Sequence, residues 1–177
     1  MTILKILQYP DPKLKRVSIP VDDFGPDIQK VIDDMLETHY NAENCAALAA
    51  TQLDLEPAWR ITVIDYSENK DQPQCLVNPE IIESSGEQFE IEGCMSVYPD
   101  YAREKVKRAM KVKVHAQDRY GKPIEIEAEG FYAKCLQHEI DHLDGLTYVD
   151  RLPKIKKDRI NKKVTKAKRE IKNNRES

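Results

Sequence analysis

The residues of this chain best suited to chemistry are two histidines, His138 and His142, with Glu139 directly after the first. Residues four apart lie one above the other on the same face of an α-helix. Both imidazoles can therefore reach one metal ion, with the Glu139 carboxylate beside the water that the ion would activate. Zinc is common in such sites, although imidazole also suits iron, nickel and copper. The spacing predicts a helical metal site with an acid–base group.

A catalytic metal usually takes a third protein ligand, and two cysteines compete for that place. Cys135 lies three residues before His138, on the same face of the predicted helix, so spacing does not exclude it. Cys94 lies elsewhere and follows Gly93, whose missing side chain lets the backbone come close to an ion. The residues alone favour Cys94 slightly. Cys135 remains an alternative, its other role being that of a small core residue.

The composition is that of a globular chain with one core. The chain has 177 residues, of which 40% are hydrophobic and 33% are charged. It contains no run of about 18 apolar residues, so we expect no membrane span and no membrane partner. Its first residues do not have the pattern of a signal peptide. The four cysteines are scattered, which favours a reducing, cytoplasmic setting.

Charge is distributed unevenly, although the net charge is only -3. Residues 151–177 carry twelve basic and three acidic side chains, a net charge of +9. Residues 1–150 carry sixteen basic and 28 acidic side chains, a net charge of -12. The basic end, rather than the acidic body, is therefore predicted to meet a polyanion.

Hydrophobic periodicity predicts three helices and several antiparallel strands. The helices are expected from Pro26, over 131–143 and from Pro153. The last one has an apolar stripe at Ile160, Val164, Ala167 and Ile171. Strands are expected at 59–65, 75–79, 81–84, 111–116 and 124–128. This pattern predicts an α+β fold with antiparallel β-sheets around a central HExxH helix. We expect a catalytic domain at 1–152 and a basic C-terminal helix at 153–177.

Three segments, in this order, resemble the motifs of bacterial, iron-dependent peptide deformylases. Residues 45–52 read CAALAATQ, where that family has Gly-x-Gly-Leu-Ala-Ala-x-Gln. Residues 92–96 read EGCMS, and residues 137–142 read QHEIDH, where the family has Glu-Gly-Cys-Leu-Ser and Gln-His-Glu-x-Asp-His. The resemblance covers residues 1 to about 155, and three ordered motifs are far more specific than HExxH alone.

The resemblance implies a role for each matching residue of the metal site. Cys94, His138 and His142 match the metal ligands, and Glu139 matches the general acid/base. Cys135 matches no ligand position and is assigned to the core. Family members typically hold Fe(II) and also accept zinc, nickel or cobalt.

Four further residues take roles by the same resemblance. The side-chain amide of Gln52 and the backbone N–H of Met95 match the groups that bind the oxyanion. Ala47 and Leu48 match positions where the family binds substrate. The implied reaction removes the formyl group from N-formylmethionyl polypeptides and releases formate. The basic residues 153–177 would contact the ribosome or its RNA through phosphates.

The chain departs from the family in its first motif, where Cys45 and Ala47 replace both glycines. If the backbone at Ala47 needed a positive φ, alanine would cost on the order of 1 kcal/mol. Cys45 has two interpretations, an oxidation-prone thiol near the metal or a small buried residue. A pair between Glu92 and Arg108 is expected from the family, across a segment of unusual length.

Two other functions compete with deformylation. A HExxH metallopeptidase would need a cleft for an extended peptide and a carboxylate or histidine as third ligand, which Cys94 argues against. A catalytically weak or silent paralogue would dock on the ribosome through residues 153–177. The replaced glycines are its only support.

Overall fold

The structure is a computed structural model that describes all 177 residues. Its three α-helices are α1 (Pro26–Asn41), α2 (Phe131–Leu143) and α3 (Lys154–Glu176). Short 3-10 helices occupy Pro12–Lys15, Ala50–Gln52 and Tyr148–Arg151. The seven strands are β1 (Ala47–Ala49), β2 (Ile61–Ile64), β3 (Gln74–Ser85), β4 (Gln88–Glu92), β5 (Glu104–Arg108), β6 (Lys111–Gln117) and β7 (Pro123–Glu129).

All strand pairs within the two sheets are antiparallel. Five strands form one sheet in the order β1-β2-β3-β6-β7, and β4 pairs with β5 in a separate two-stranded sheet. The predicted α+β class, with antiparallel sheets and a C-terminal helix, is confirmed.

The five-stranded sheet separates α1 from α2, and the period of two along its strands explains why. Val63 lies in the cluster that contains the apolar face of α1, whereas the next residue, Ile64, lies in the cluster that contains α2. The same alternation assigns Leu48 to the α1 side and Ala47 to the α2 side. Both faces of the sheet are therefore covered at β1, β2 and the start of β3, and α2 is held against a layer of aliphatic side chains.

Helix α2 ends where the sequence predicts a stop. Gly145 adopts φ +82°, and a Cβ added there would lie 2.6 Å from the Lys15 carbonyl oxygen. Only glycine fits this position without moving the N-terminal arm. The position of the arm against the end of α2 therefore depends on this residue.

Helix α3 packs on the body through its first half. Ile160 and Val164 join a cluster with Tyr148 and Val106, and Ala167 is also buried. Ile171, the last residue of the predicted stripe, is only half-buried. The proposed division between residues 152 and 153 remains a prediction.

Some strand predictions were wrong or incomplete. Residues 74–85 form one strand rather than two, because register irregularities near residues 78–83 let it bend past Pro79 without ending. β1 was missed because three residues are too few to show a period. β4 and β5 were missed because charged residues lie on both faces of these strands. In β5, Lys105 and Lys107 lie on one face, and Arg108 shares the other face with the buried Val106.

Candidate active site

Helix α2 presents two imidazoles to one point. His138 and His142 lie one turn apart, and their Nε2 atoms are 3.2 Å from each other. The opposite face of the helix, with Leu136 and Ile140, packs on the five-stranded sheet. Burial of each such aliphatic side chain contributes about 1.5–3 kcal/mol, so the helix is held in a fixed rotation.

Cys94 reaches the same point from the segment after β4. Its Sγ lies 3.2 Å from Nε2 of His142. The three ligand atoms of Cys94, His138 and His142 all lie within 4.8 Å of one another. Cys135 is not part of this group and packs in the apolar cluster under α2. The structure thus brings together the three residues predicted as ligands.

A buried chain of ion pairs orients the first histidine. His138 Nδ1 lies 2.8 Å from Glu92 Oε1, which leaves its Nε2 facing Cys94 and His142. Arg108 donates two hydrogen bonds to Glu92, at 2.9 and 3.0 Å, and a third to Asp141 at 2.5 Å. A carboxylate behind a histidine fixes which ring nitrogen is free, as in many metal sites. The expected Glu92–Arg108 pair is present.

The same contacts set the protonation of these groups. Burial raises the pKa of Glu92, but hydrogen bonds from His138 and Arg108 outweigh it and bring the pKa to about 2. Burial, with the positive charges of His138 and Arg108, lowers the pKa of His142 well below its usual value. Glu92 is therefore a carboxylate and His142 a neutral imidazole near pH 7, the form that binds metals.

Glu139 is buried beside these groups and is unusual in its bonding. The residue is 3% exposed, and its Oε2 has no hydrogen-bond partner. Burial raises the pKa of its carboxyl to about 7. A buried carboxyl oxygen without a hydrogen-bond partner costs free energy unless a bound ion, water or ligand contacts it. The predicted acid/base thus has an unused acceptor, and the residue lines the same cavity as Cys94 and His138.

Gln52 is held so that its amide nitrogen points at the same place. Its Oε1 accepts the Ala49 amide at 2.9 Å, while its Nε2 donates to Ser96 Oγ at 3.1 Å and lies 3.6 Å from Cys94 Sγ. The Met95 amide is the donor in none of the backbone hydrogen bonds of the protein. Two N–H donors therefore lie beside Cys94: the Met95 amide, which has no backbone acceptor, and the Gln52 N–H that donates weakly to Cys94 Sγ.

These groups line one cavity of about 250 Å³ that opens to the surface. Half-exposed apolar side chains, Ile91 and Phe131, stand at its mouth together with Pro99. The predicted site residues on its wall are Ala47, Gln52, Cys94, Met95, His138 and Glu139.

The altered first motif is accommodated without backbone strain. Ala47 lies in β1, and neither it nor Cys45 has a positive φ, so the anticipated conformational cost is absent. Cys45 is 1% exposed and burial raises the pKa of its thiol to about 12, which fits the small buried residue. Leu48 is fully buried in the core, so any contact it makes with substrate would come through its backbone.

Several residues of the site were not found from the sequence. Ser96 accepts a hydrogen bond from Gln52, and Gln8 donates one to the Met95 carbonyl. Arg151 forms an ion pair with Asp141 at 2.7 Å. The partner of Asp141 could have been predicted, because a buried carboxylate within the HExxH helix needs a basic partner. Ser96 and Gln8 carried no comparable signal.

The residues present fit a metal ion. A soft thiolate and two imidazoles converge, and a carboxylate contacts the Nδ1 atom of His138. Glu139, which has a buried carboxyl oxygen without a partner, lines the same cavity as Cys94 and His138. With two N–H donors beside it, the cavity can stabilise negative charge on a carbonyl oxygen. An α+β fold with this site defines a metal-dependent hydrolase.

Comparison with known proteins gives the family. Residues 3–158 match the polypeptide deformylase family. The chain is 61% identical over 168 residues to Peptide deformylase 1 of Coxiella burnetii, covering 95% of this chain and 98% of that protein. It resembles a crystal structure of a peptide deformylase from Legionella pneumophila, with a TM-score of 0.87, 44% identity and coverage of 95% and 96% of the two chains. The peptide deformylase of Ehrlichia chaffeensis in complex with actinonin gives a TM-score of 0.85 at 34% identity, with coverage of 96% and 99%.

The chain belongs to the peptide deformylase family, hydrolases that act on N-formyl peptides and depend on a metal ion. The two competing hypotheses, a metallopeptidase and a silent paralogue, have no support from these comparisons. None of the helices is long and apolar enough to cross a membrane.

Proposed function

We propose that Cys94, His138 and His142 hold one divalent iron ion, at which the chain removes the formyl group from N-formylmethionyl polypeptides. The observation that carries this assignment is the convergence of the three ligand atoms within 4.8 Å. Glu139, with its unpartnered oxygen, lines the same cavity as Cys94 and His138. When bound, such an ion polarises a carbonyl and makes water acidic enough to react near neutral pH.

Glu139 is the proton carrier in this proposal. Its carboxylate takes a proton from the attacking water and returns it to the departing amine nitrogen. Burial supports this role, because it places the pKa of the group at about 7, where both protonation states are accessible. Formate and a free α-amine are released.

Gln52 and Met95 bind the oxyanion in this proposal. The Nε2 of Gln52 and the backbone N–H of Met95 act as fixed donors to the formyl oxygen as it gains charge. Gln52 is held in advance by Ala49 and Ser96, so little reorganisation is needed. Removal of one such donor typically costs about 10²–10³ in turnover.

The substrate chain is proposed to enter along β1. This strand is at the edge of the five-stranded sheet, so its outer backbone groups can pair with an extended peptide. Ala47 lies on the cavity wall, and Leu48 would contribute only backbone groups. Ile91 and Phe131 offer an apolar mouth for the methionine and its neighbours.

The choice of iron rests on the ligand set. A thiolate reduces the net positive charge of the site relative to three imidazoles, which favours Fe(II) chemistry over a copy of a zinc protease. Zinc, nickel or cobalt are expected to substitute, because imidazole and thiolate bind all of them.

The setting of the reaction is proposed to be the cytoplasm, where new polypeptides are made. Residues 153–177, with their excess of basic side chains, would contact the ribosome through RNA phosphates. No aromatic residue lies between these basic side chains, so stacking on single-stranded bases is not expected. Salt-dependent co-sedimentation with ribosomes tests this contact separately from catalysis.

Formate release from formyl-Met-Ala-Ser, measured with anaerobically purified, iron-loaded protein, tests the catalytic roles. Glu139→Ala is expected to lower kcat by about 10²–10⁴-fold, the range for a general acid/base. Glu87→Ala, at an exposed ion pair with Lys107, is the matched control and should keep full turnover. Cobalt absorption should show thiolate coordination in parent and variant alike. Unchanged turnover in Glu139→Ala would overturn the assignment.

A further inference from the structure

A second groove adjoins the active-site cavity. It lies between residues 98–101 and the last two turns of α3 and has a volume of about 500 Å³. Pro99 lines both the groove and the active-site cavity, so the two adjoin at this residue. Any occupant of the cavity that extends over Pro99 enters the groove.

The wall formed by α3 is strongly basic. Lys168 and Arg175 have no carboxylate partner, and Lys172 has only Glu176 at 3.9 Å. Asp100 is the one acidic residue among those that line the groove. Arg103, on the cavity side of Pro99, is exposed and also has no carboxylate partner. Glu170 of α3 lies beside Tyr101, which also lines the groove. The path from the cavity into the groove therefore carries four cations against the carboxylates of Asp100, Glu170 and Glu176, and its net charge is positive.

The opposite wall is aromatic and is held in place from the active site. The Tyr98 amide donates to Gln8 Oε1 at 3.1 Å, and Gln8 Nε2 donates to the Met95 carbonyl at 2.7 Å. Tyr98 has φ +40°, a conformation that non-glycine residues adopt only when their surroundings hold them. One side chain thus ties the groove wall to a residue of the proposed oxyanion site.

We propose that this groove binds the downstream part of the substrate polypeptide and prefers acidic side chains there. This inference rests on the proposed function, because a substrate that is held by its N-terminus must leave the cavity as an extended chain past its rim. Charge complementarity selects the class of occupant: carboxylates of the substrate meet Lys168, Lys172 and Arg175. These contacts are remote from the reacting bond and do not change during the reaction. They therefore lower KM without altering kcat.

Peptides that share one N-terminus test the groove. An extended chain spans about 3.3–3.6 Å per residue, so peptides of about twelve residues reach well beyond the rim. The two long peptides begin with formyl-Met-Ala-Ser and carry either glutamates or glutamines after it. Formyl-Met-Ala-Ser alone is the short substrate. We expect KM for the glutamate peptide to be about three- to tenfold lower than for the glutamine peptide, the size given by a few exposed ion pairs. The advantage should shrink as salt is added.

The variant K168A/K172A/R175A should abolish this difference and leave the short substrate unaffected. The matched control K162A/K166A/R169A removes two lysines and one arginine from the same helix, none of which lines the groove. It should keep the preference for glutamate. A charge reversal, K168E/K172E, should make a lysine-containing peptide the better substrate.

Three results would overturn the proposal: equal KM values for the two long peptides in the parent protein, an unchanged preference in K168A/K172A/R175A, or the same loss in both triple variants. Unchanged peptide kinetics combined with weaker ribosome binding by K168A/K172A/R175A would leave these cations with the proposed RNA contact alone and would overturn the groove. Turnover of the short substrate reports on the proposed function itself, so failure of that function is distinguished from failure of the groove.

Discussion

The region around α2 and the surface of α3 are both rich in charge, but they use it differently. Around α2, Arg108, Glu92 and Asp141 are nearly inaccessible to water and bond to one another. Along α3, pairs such as Lys154–Asp158 remain exposed. Burial decides which charges the fold depends on, since a buried charge without its partner is costly whereas an exposed one is hydrated.

The two regions also differ in how exactly they position their charged groups. The buried network fixes the ring of His138 through Glu92 and so determines where a ligand nitrogen points. The exposed cations of α3 hold no fixed geometry and act through the field they create, which suits contact with variable or extended anions. Catalytic geometry and partner attraction are thus assigned to different parts of one chain.

Replacement of Arg108 by methionine is expected to have the largest effect on stability. It leaves Glu92 and Asp141 buried with one partner fewer, which costs about 3–5 kcal/mol in the free energy of unfolding. Urea denaturation measures this loss. Metal affinity should also fall, by about 10–100-fold, because the support of His138 is weakened.

Arg159→Met is the matched control for that change. Arg159 is exposed, and its partner Glu104 keeps a second contact with Lys156. The loss should stay within about 1 kcal/mol. Equal losses in the two methionine variants would contradict the distinction between buried and exposed charge.

Asp65 is a buried carboxylate without a basic partner, and the pH dependence of stability tests what such a group contributes. Burial raises the pKa of Asp65, but hydrogen bonds from Ser67 and Tyr40 outweigh it and bring the pKa to about 2. In the unfolded chain the value is about 3.9. The lowered pKa therefore stabilises the protein above about pH 4, and this contribution is lost as pH falls toward 2.

Unfolding measured between pH 5 and pH 2 tests this contribution by comparison with Asp65→Asn. The variant should be less stable than the parent at pH 5, and the gap should narrow on acidification. A gap that stays constant with pH would mean that Asp65 stabilises the fold only by shape.

The sequence predicted the parts of the site that lie in local patterns. The spacing of His138 and His142 needs only helix geometry, and α2 and α3 follow from periodicity and from stop signals such as Gly145. What brings Cys94 to the histidines is a tertiary arrangement, and without the family motifs the residues alone left Cys135 as an alternative. Gln8 and Ser96 were not predictable because single polar side chains carry no period.

Ala47→Gly restores the glycine of the family motif and should have a small effect. Ala47 has an ordinary strand conformation, so glycine relieves no strain and instead adds flexibility to the unfolded chain. We expect a loss of about 0.5–1 kcal/mol in stability, with turnover of formyl-Met-Ala-Ser unchanged. Ala128→Gly, equally buried in β7, should lose a similar amount and serves as the control. A gain in stability or a marked rise in turnover for Ala47→Gly alone would show that the methyl group restricts the site.

The smallest effect is expected at the exposed pair of Lys154 and Asp158 on α3. The two side chains are one turn apart, with 87% and 55% exposure, and their charged atoms are 3.1 Å from each other. Because water solvates both charges in either state, their coupling should be about 0.3–0.5 kcal/mol and should vanish at high salt. A double-mutant cycle with Lys154→Ala and Asp158→Ala measures it by thermal unfolding. The lysine precedes the aspartate, the less favourable order along a helix dipole, which argues for the lower end of that range. Coupling of several kcal/mol here would mean that exposed charges on α3 contribute to the fold as much as the buried network around α2, and the comparison between the two regions would fail.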